Sequence, residues 1–332
     1  MFPRRATALF LLCLLLLLST SGRDGRDLLG KVPRMTVTRV PLDAHDLRRS
    51  RVGALTYLGG LRLTSPDRAF GGFSSMQIKG DRFTLLSDGG TFIRFRMGAD
   101  WTPRDLAFGD LPQGPGTGWL KADRDSESMA SDPATGRIWV GFENYNAIWR
   151  YDDGLTRAER SVQPAAMRGW STNGGPESMA RMADGRFVVI SETSRPKGSR
   201  SGREALLFPG DPTAPEIVPI RFVYMPPDER YDPSDAVQLP DGRLIVLNRR
   251  FSVPGLFSAK LTLVDPQAIR PGAVVRGIEI ATLDAPLLHD NYEALAITRE
   301  GRDTILWVAS DDNQQFWEWS LLLKFRIEFA TR

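Results

Sequence analysis

The sequence predicts an all-β protein folded as a single β-propeller, and three observations carry that prediction. One short unit recurs five times at spacings of 50 to 58 residues. Each copy leads into a glycine-bearing turn followed by a second apolar run. No stretch beyond the N-terminus sustains a helical period. A period of about 50 residues holding four short strands suits a propeller blade, because one blade cannot bury both its faces without neighbours.

The five units open on Ser74-Ser75-Met76, Ser126-Glu127-Ser128-Met129, Pro176-Glu177-Ser178-Met179, Ser234-Asp235-Ala236-Val237 and Tyr292-Glu293-Ala294-Leu295. Their turns are Lys79-Gly80-Asp81, Thr135-Gly136-Arg137, Asp184-Gly185-Arg186, Asp241-Gly242-Arg243 and Glu300-Gly301-Arg302. Glycine between two apolar runs is a strong hairpin signal, since it takes a positive φ without steric cost. The runs that follow, 82–86, 137–141, 186–190, 243–247 and 304–309, are rich in Val, Ile, Phe and Trp and have strand length. Third strands are expected at 92–96, 147–151, 205–208, 261–265 and 321–327.

Five units predict five blades. The fifth runs out of chain before its outer strand, and the segment Val52 to Leu63 supplies that strand and closes the ring. A sixth blade built from residues 36–70 is the alternative. Two unrelated β-sandwiches do not account for a repeat that runs through the whole chain.

The N-terminus reads as an export signal. Arg4 and Arg5 precede an apolar run from Ala8 to Leu18, and small residues follow at Ser19 to Gly22. The run is short of the roughly 20 apolar residues that a membrane span needs, although an uncleaved anchor is the competing reading. The expected organisation is a signal peptide at 1–22, a flexible, charged and Gly-rich leader at 23–35, and one propeller domain at 36–332. Cleavage removes Cys13, the only cysteine, so the mature chain has no disulfide and depends on its core or on metal. A periplasmic or secreted protein follows, with no stable membrane insertion after cleavage.

Composition is that of a soluble globular protein, 42% hydrophobic and 25% charged. The formal charge of +3 falls to about +1 without Arg4 and Arg5, which leaves no case for nucleic acid or a polybasic membrane contact. A ring that closes on itself predicts a monomer whose partner is a small molecule.

In a propeller the first strand of each blade lines the channel and its hairpin partner returns beside it. The start of one and the end of the other therefore share a mouth. The first place holds Ser75, Glu127, Glu177, Asp235 and Glu293; the second holds Asp88, Glu143, Glu192, Asn248 and Asp311. So many carboxylates would raise one another's pKa unless a cation sat among them. Oxygen donors, with no mature cysteine and only His45 and His289 in the chain, predict a hard metal, calcium rather than zinc. An acidic position that merely caps a turn is the plainer reading, but two separate acidic places converge on one rim. Arg249 and Arg250 follow Asn248, and the loop after Glu192 carries Arg195, Lys197, Arg200 and Arg203. Such arginine forks bind phosphate or carboxylate, although Arg200 and Arg203 equally suit a solvated basic loop. His289 and Asp290, just before Glu293, could supply proton transfer near neutral pH, against the plainer reading that one histidine in a loop is incidental.

The segments Asp125-Ser126-Glu127-Ser128-Met129, Asn173-Gly174-Gly175-Pro176-Glu177-Ser178-Met179 and Asn291-Tyr292-Glu293-Ala294-Leu295 resemble the phytase-like propeller family described by an esterase-like activity. The resemblance spans roughly residues 50 to 328. It implies an exported propeller that hydrolyses phosphoesters with calcium.

Three functions remain open at this level. In a calcium-dependent phosphoester hydrolase, Glu127, Glu177, Asp235 and Glu293 hold metal while Arg249 and Arg250 steady the leaving anion, with Glu177 and His289 as the catalytic pair. A lactonase or sugar-ester hydrolase uses the same acids without the arginines. A ligand-binding propeller keeps the metal for structure alone.

Overall fold

The computed structural model describes residues 25–329; the predicted signal peptide lies outside them. Five antiparallel sheets follow one another along the chain as the blades of a five-bladed propeller. The first blade comprises Phe73–Lys79, Arg82–Ser87, Thr91–Met97 and Pro103–Asp110, paired in that order. The second comprises Ser126–Ser131, Ile138–Phe142, Ala147–Tyr151 and Ala158–Val162. The third runs through Ser178–Arg181, Phe187–Ile190, Arg203–Phe208 and Ile220–Met225, and Val274–Arg276 adds a parallel outer strand. The fourth is Asp232–Gln238, Leu244–Ser252, Leu256–Val264 and Ile278–Leu283.

The fifth blade closes the ring. Tyr292–Glu300, Asp303–Ser310 and Leu321–Ile327 are completed by Leu55–Thr64 from the opposite end of the domain, which pairs antiparallel with Leu321–Ile327. Thr36–Arg39 then adds to the outside of Leu55–Thr64. Residues assigned to an alternative sixth blade are thus the outer strands of the fifth. Among the described residues the only helical pieces are three single 3-10 turns, at Lys121–Asp123, Ala165–Met167 and Pro266–Ala268.

The repeated Asp-Gly-Arg turn has a local cause. Gly185 and Gly242 take φ of +88° and +92°, a region unfavourable to any side chain. The preceding Asp184 and Asp241 each accept the backbone N–H of the arginine two residues on, at 3.0 Å, and pair with its guanidinium. Asp, Gly and Arg are therefore each required for the turn rather than for the mouth at the other end of the blade.

The core is divided into five apolar clusters, one at each junction between neighbouring blades. Trp139 meets Phe187 between the second and third blades, ring centroids 4.9 Å apart, and Phe83 meets Trp307 between the first and fifth at 4.8 Å. Each large side chain so buried stabilises the fold by roughly 1.5–3 kcal/mol, and none of these contacts exists within an isolated blade. Residues 25–35 are also tied to the ring. Arg26 pairs with Asp110, Gly30 N–H donates to Asp67 Oδ2 at 2.6 Å, and Leu29 and Met35 pack on the cluster between the fifth and first blades.

Candidate functional site

The strand register decides which side chains reach the mouth. Four inner strands carry a bulge near their start, where one residue has no partner on the second strand. The unpartnered residues are Ser74, Glu127, Ser234 and Glu293, and Glu177 stands at the corresponding place one residue before its strand begins. A bulge bends the strand and re-aims a side chain. Along the second strands the same register aligns Asp88, Glu143, Glu192, Arg249 and Asp311.

Three sequence assignments change as a result. Ser75 and Asp235 lie one residue past the mouth position, which belongs to Ser74 and Ser234. The Oδ1 of Asp235 accepts Ala236 N–H of its own strand and its Oδ2 accepts Leu295 N–H of the next blade, each at 2.7 Å. Both oxygens are thus committed to backbone, and Asp235 joins blades four and five instead of holding a cation. Asn248 is fully buried inside its own blade. It accepts from Tyr224 Oη at 2.8 Å and donates to Val246 O and Lys260 O at 3.0 and 3.2 Å. Its amide is not a rim ligand; Arg249 occupies the rim there.

The remaining acids do gather. Carboxylate oxygens of Asp125, Glu127 and Glu143 lie within 4.8 Å of one another, and so do those of Glu143, Glu177 and Glu192. Asp125, unassigned from sequence, belongs to the site. Its counterpart in blade four is Asp232, which stands opposite Arg249 as Asp125 stands opposite Glu143, but the bulge offsets the two in a simple alignment of the repeats. Glu127 and Glu177 are 9% and 4% exposed, and among the described residues neither carboxylate has a hydrogen-bond or ion-pair partner. Glu143 accepts Gly174 N–H. Burial, followed by neighbouring negative charge, pushes Glu127 and Glu177 well above the usual carboxylate range and Glu143 up to about 8.

Two built-in cations flank this group. Lys121, on the short turn of the connector between blades one and two, reaches Asp88 Oδ2 at 2.8 Å and Asp125 Oδ1 at 2.9 Å. Burial opposes its charge, but Asp88, Asp125 and Glu127 outweigh that and push its pKa above the ordinary lysine value. Arg249 Nη2 lies 2.7 Å from Glu192 Oε1, and its Nε lies 3.2 Å from Glu293 Oε1. Glu293 is pushed up to about 7 by burial, with Arg249 opposing. Asp311 has no cation partner among the described residues. Burial, then Glu293, Asp88 and Asp312, raise it well above normal, while its Oδ1 accepts Asn313 N–H at 2.6 Å.

The other candidates lie elsewhere. Arg250 pairs with none of the described acids and covers the Tyr231 ring at 5.1 Å. Arg203 is fully buried and binds Glu192 O, Ser201 O and Asp232, so it braces the loop that carries it. Arg195 and Lys197 are exposed on that loop, on the mouth face. His289 donates from Nδ1 to Leu287 O at 2.7 Å, and Asp290 accepts Asn291 N–H and Trp319 N–H at 2.8 and 3.0 Å. This pair fixes the connector into blade five, and burial holds Asp290 at about 7. A cavity of about 840 Å³ lies on the flank between blades two and three, lined by Pro164, Pro212, Pro215, Ile217 and Pro219.

The family model described as "Phytase-like: Esterase-like activity of phytase" matches residues 68–314, which span blades one to four and the first two strands of the fifth. The chain belongs to this phytase-like family. No curated protein matches it. Among solved structures, the phytase-like chain is similar to glutaminyl cyclase of Myxococcus xanthus, at 12% identity and TM-score 0.45, covering 79% of this chain and 92% of that one. It is also similar to a luciferin-regenerating enzyme, at 12% identity and TM-score 0.41 over 90% and 98% of the two chains. Hydrazine synthase of Kuenenia stuttgartiensis follows at 12% and 0.40 over 73% and 77%. At such identity and superposition the likeness carries no activity across.

The donor set of the phytase-like mouth fits a hard divalent cation. All its ligand atoms are carboxylate oxygens, two of the acids are buried without any counterion, and neither histidine is among them. Among the described residues no helix is long and apolar enough to cross a membrane.

Proposed function

We propose that this chain is an exported, calcium-dependent ester hydrolase, acting on a small phosphoester or carboxyl ester as a periplasmic or secreted monomer. The observation that supports it is the pair of buried, partnerless carboxylates of Glu127 and Glu177, bridged by Glu143, at a propeller mouth of the phytase-like family. Glu127, Glu143 and Glu177 would hold the cation, with Asp125 and Glu192 beside them. A cation there supplies Lewis acidity to an ester oxygen and to water.

The side chains opposite divide the remaining work. Arg249 neutralises Glu192 and Glu293 and keeps their oxygens in place. Lys121 does the same for Asp88 and Asp125. Burial and neighbouring carboxylates raise Asp311 well above the usual carboxylate range, and its Oδ2, not engaged by the Asn313 N–H that Oδ1 accepts, would be the oxygen that exchanges a proton with a leaving group.

The test is turnover of matched phosphoesters, carboxyl esters and lactones by the full chain with calcium and with chelator. Calcium-dependent cleavage that falls at least a hundredfold in Glu177→Gln, with the fold intact, supports the reading. Calcium binding with no cleavage of any ester class would make the protein a ligand-binding propeller instead.

A further inference from the structure

The loops around the mouth carry a feature that the acids do not use. Among the described residues the exposed aromatic side chains are Trp119, Phe251, Phe316 and Trp317, exposed by 81%, 49%, 89% and 50%. All four stand on the mouth face. Trp119 is two residues before Lys121, in the connector from blade one to blade two. Phe251 is two residues beyond Arg249, on the hairpin that rises above the mouth from blade four and packs it against Phe257 at 5.1 Å. Phe316 and Trp317 lie in the loop that starts at Asp311, edge to face at 4.7 Å. Among the described residues, the opposite face and the outer flanks of the ring expose aliphatic side chains such as Val218 and Ile278 but no aromatic one.

Exposed rings are costly to keep in water and are strong sources of binding energy when covered. Three independent loops, each springing from a charged residue of the mouth, place them around one opening. The charge of that opening narrows what they cover. Among the described residues only Lys121 and Arg249 pair with the eight acids Asp88, Asp125, Glu127, Glu143, Glu177, Glu192, Glu293 and Asp311, and the exposed Arg195 and Lys197 on the same face still leave the acids in excess. A divalent cation offsets part of this excess, so the mouth repels a polyanion and accepts a neutral or singly charged group.

Resting on the hydrolase reading above, we propose that the substrate is a neutral or monoanionic ester of an apolar, ring-bearing group, whose ring is held by Trp119, Phe251, Phe316 and Trp317 while its ester enters the acidic mouth. A polyphosphorylated substrate is disfavoured by the same charge balance. Each ring contributes only to binding, because it touches a part of the substrate that does not react.

The test compares the full chain with Phe316→Ser/Trp317→Ser and with Trp119→Ser, exposed substitutions that leave the core intact. Calorimetry with 2-naphthoate in calcium reads binding, and turnover of methyl 2-naphthoate against methyl acetate reads catalysis. The expected result is a loss of about tenfold in 2-naphthoate affinity with an equal rise in KM for methyl 2-naphthoate. The KM for methyl acetate and the calcium-induced rise in Tm stay unchanged. Ring-dependent binding of 2-naphthoate without turnover of either ester sustains the aromatic subsite and removes the hydrolase reading. Turnover with both variants silent, or 2-naphthoate binding that ignores them, overturns the subsite and leaves the hydrolase reading standing. Tighter binding of a hexaphosphorylated polyol than of 2-naphthoate overturns it as well. So does co-sedimentation with phosphatidylcholine vesicles that the variants abolish, which would make the rim a membrane contact.

Discussion

Arg249 and Glu192 form an ion pair of 2.7 Å across the boundary between blades four and three, at a place where every other blade puts a carboxylate. The guanidinium also lies 3.2 Å from Glu293, so one arginine interrupts the acidic ring and serves two of its members. Removing one partner of a buried pair leaves the other uncompensated, at a cost of about 3 kcal/mol or more. Arg249→Met should therefore lower the Tm of the calcium-free protein by several degrees. Calcium should restore more of the loss than it adds to the wild type, because two additional carboxylates are then without a cation. Melting curves with chelator and with calcium check both statements, and a variant as stable as the wild type in chelator would show the pair to be incidental.

The raised carboxylates make a stability prediction of definite sign. Glu143 and Glu293 hold their protons up to about pH 8 and 7 in the folded state, whereas an unfolded glutamate releases its proton near 4.3. Their contribution is therefore fully present below about pH 4.3 and is lost as pH rises through 7 and 8. In chelator the Tm should fall steadily between pH 5.5 and 8.5. With saturating calcium the same interval should be nearly flat, since the cation offsets the charge that appears. A chelated protein that gains stability across this interval contradicts the assignment.

How far the sequence reached can be judged from particular residues. The blades were legible because Gly185, Gly242 and their counterparts mark hairpins by local chemistry, and local chemistry repeats. Ring closure was legible too, since the fifth unit lacked a strand and the upstream segment Val52 to Leu63 could supply it, although it is the pairing of Leu55–Thr64 with Leu321–Ile327 that rules out a sixth blade from residues 36–70. The bulges were not. An inserted residue changes which side chain faces the channel without changing composition, so Ser75, Asp235 and Asn248 were each placed one position from the true mouth residue. Lys121 was missed for another reason: it sits in one connector and no other unit repeats it.

Asp235 offers a direct check on that one-residue shift. Its two oxygens accept backbone N–H groups from its own strand and from Leu295 in the next blade. Asp235→Ala leaves two buried donors unsatisfied and should cost about 2–4 kcal/mol of stability, while the affinity for calcium stays within twofold. Loss of calcium affinity without loss of stability would restore Asp235 to the ring of ligands.

The strongest discrimination comes from Glu127 and Glu177, because their two roles have opposite signs. Without a cation these buried carboxylates repel each other and their neighbours, and burial itself penalises their charge. Replacing both by glutamine removes that penalty, so Glu127→Gln/Glu177→Gln should melt higher than the wild type in chelator at pH 8. With calcium the wild type gains by mass action, about 2.7 kcal/mol at a hundredfold excess over Kd, and the double variant should gain nothing because its donor set has lost two charged oxygens. The two melting curves should therefore cross as calcium is added. If the variant is less stable than the wild type at every calcium concentration, including none, these glutamates are held by the protein for packing or hydrogen bonding and the cation assignment fails.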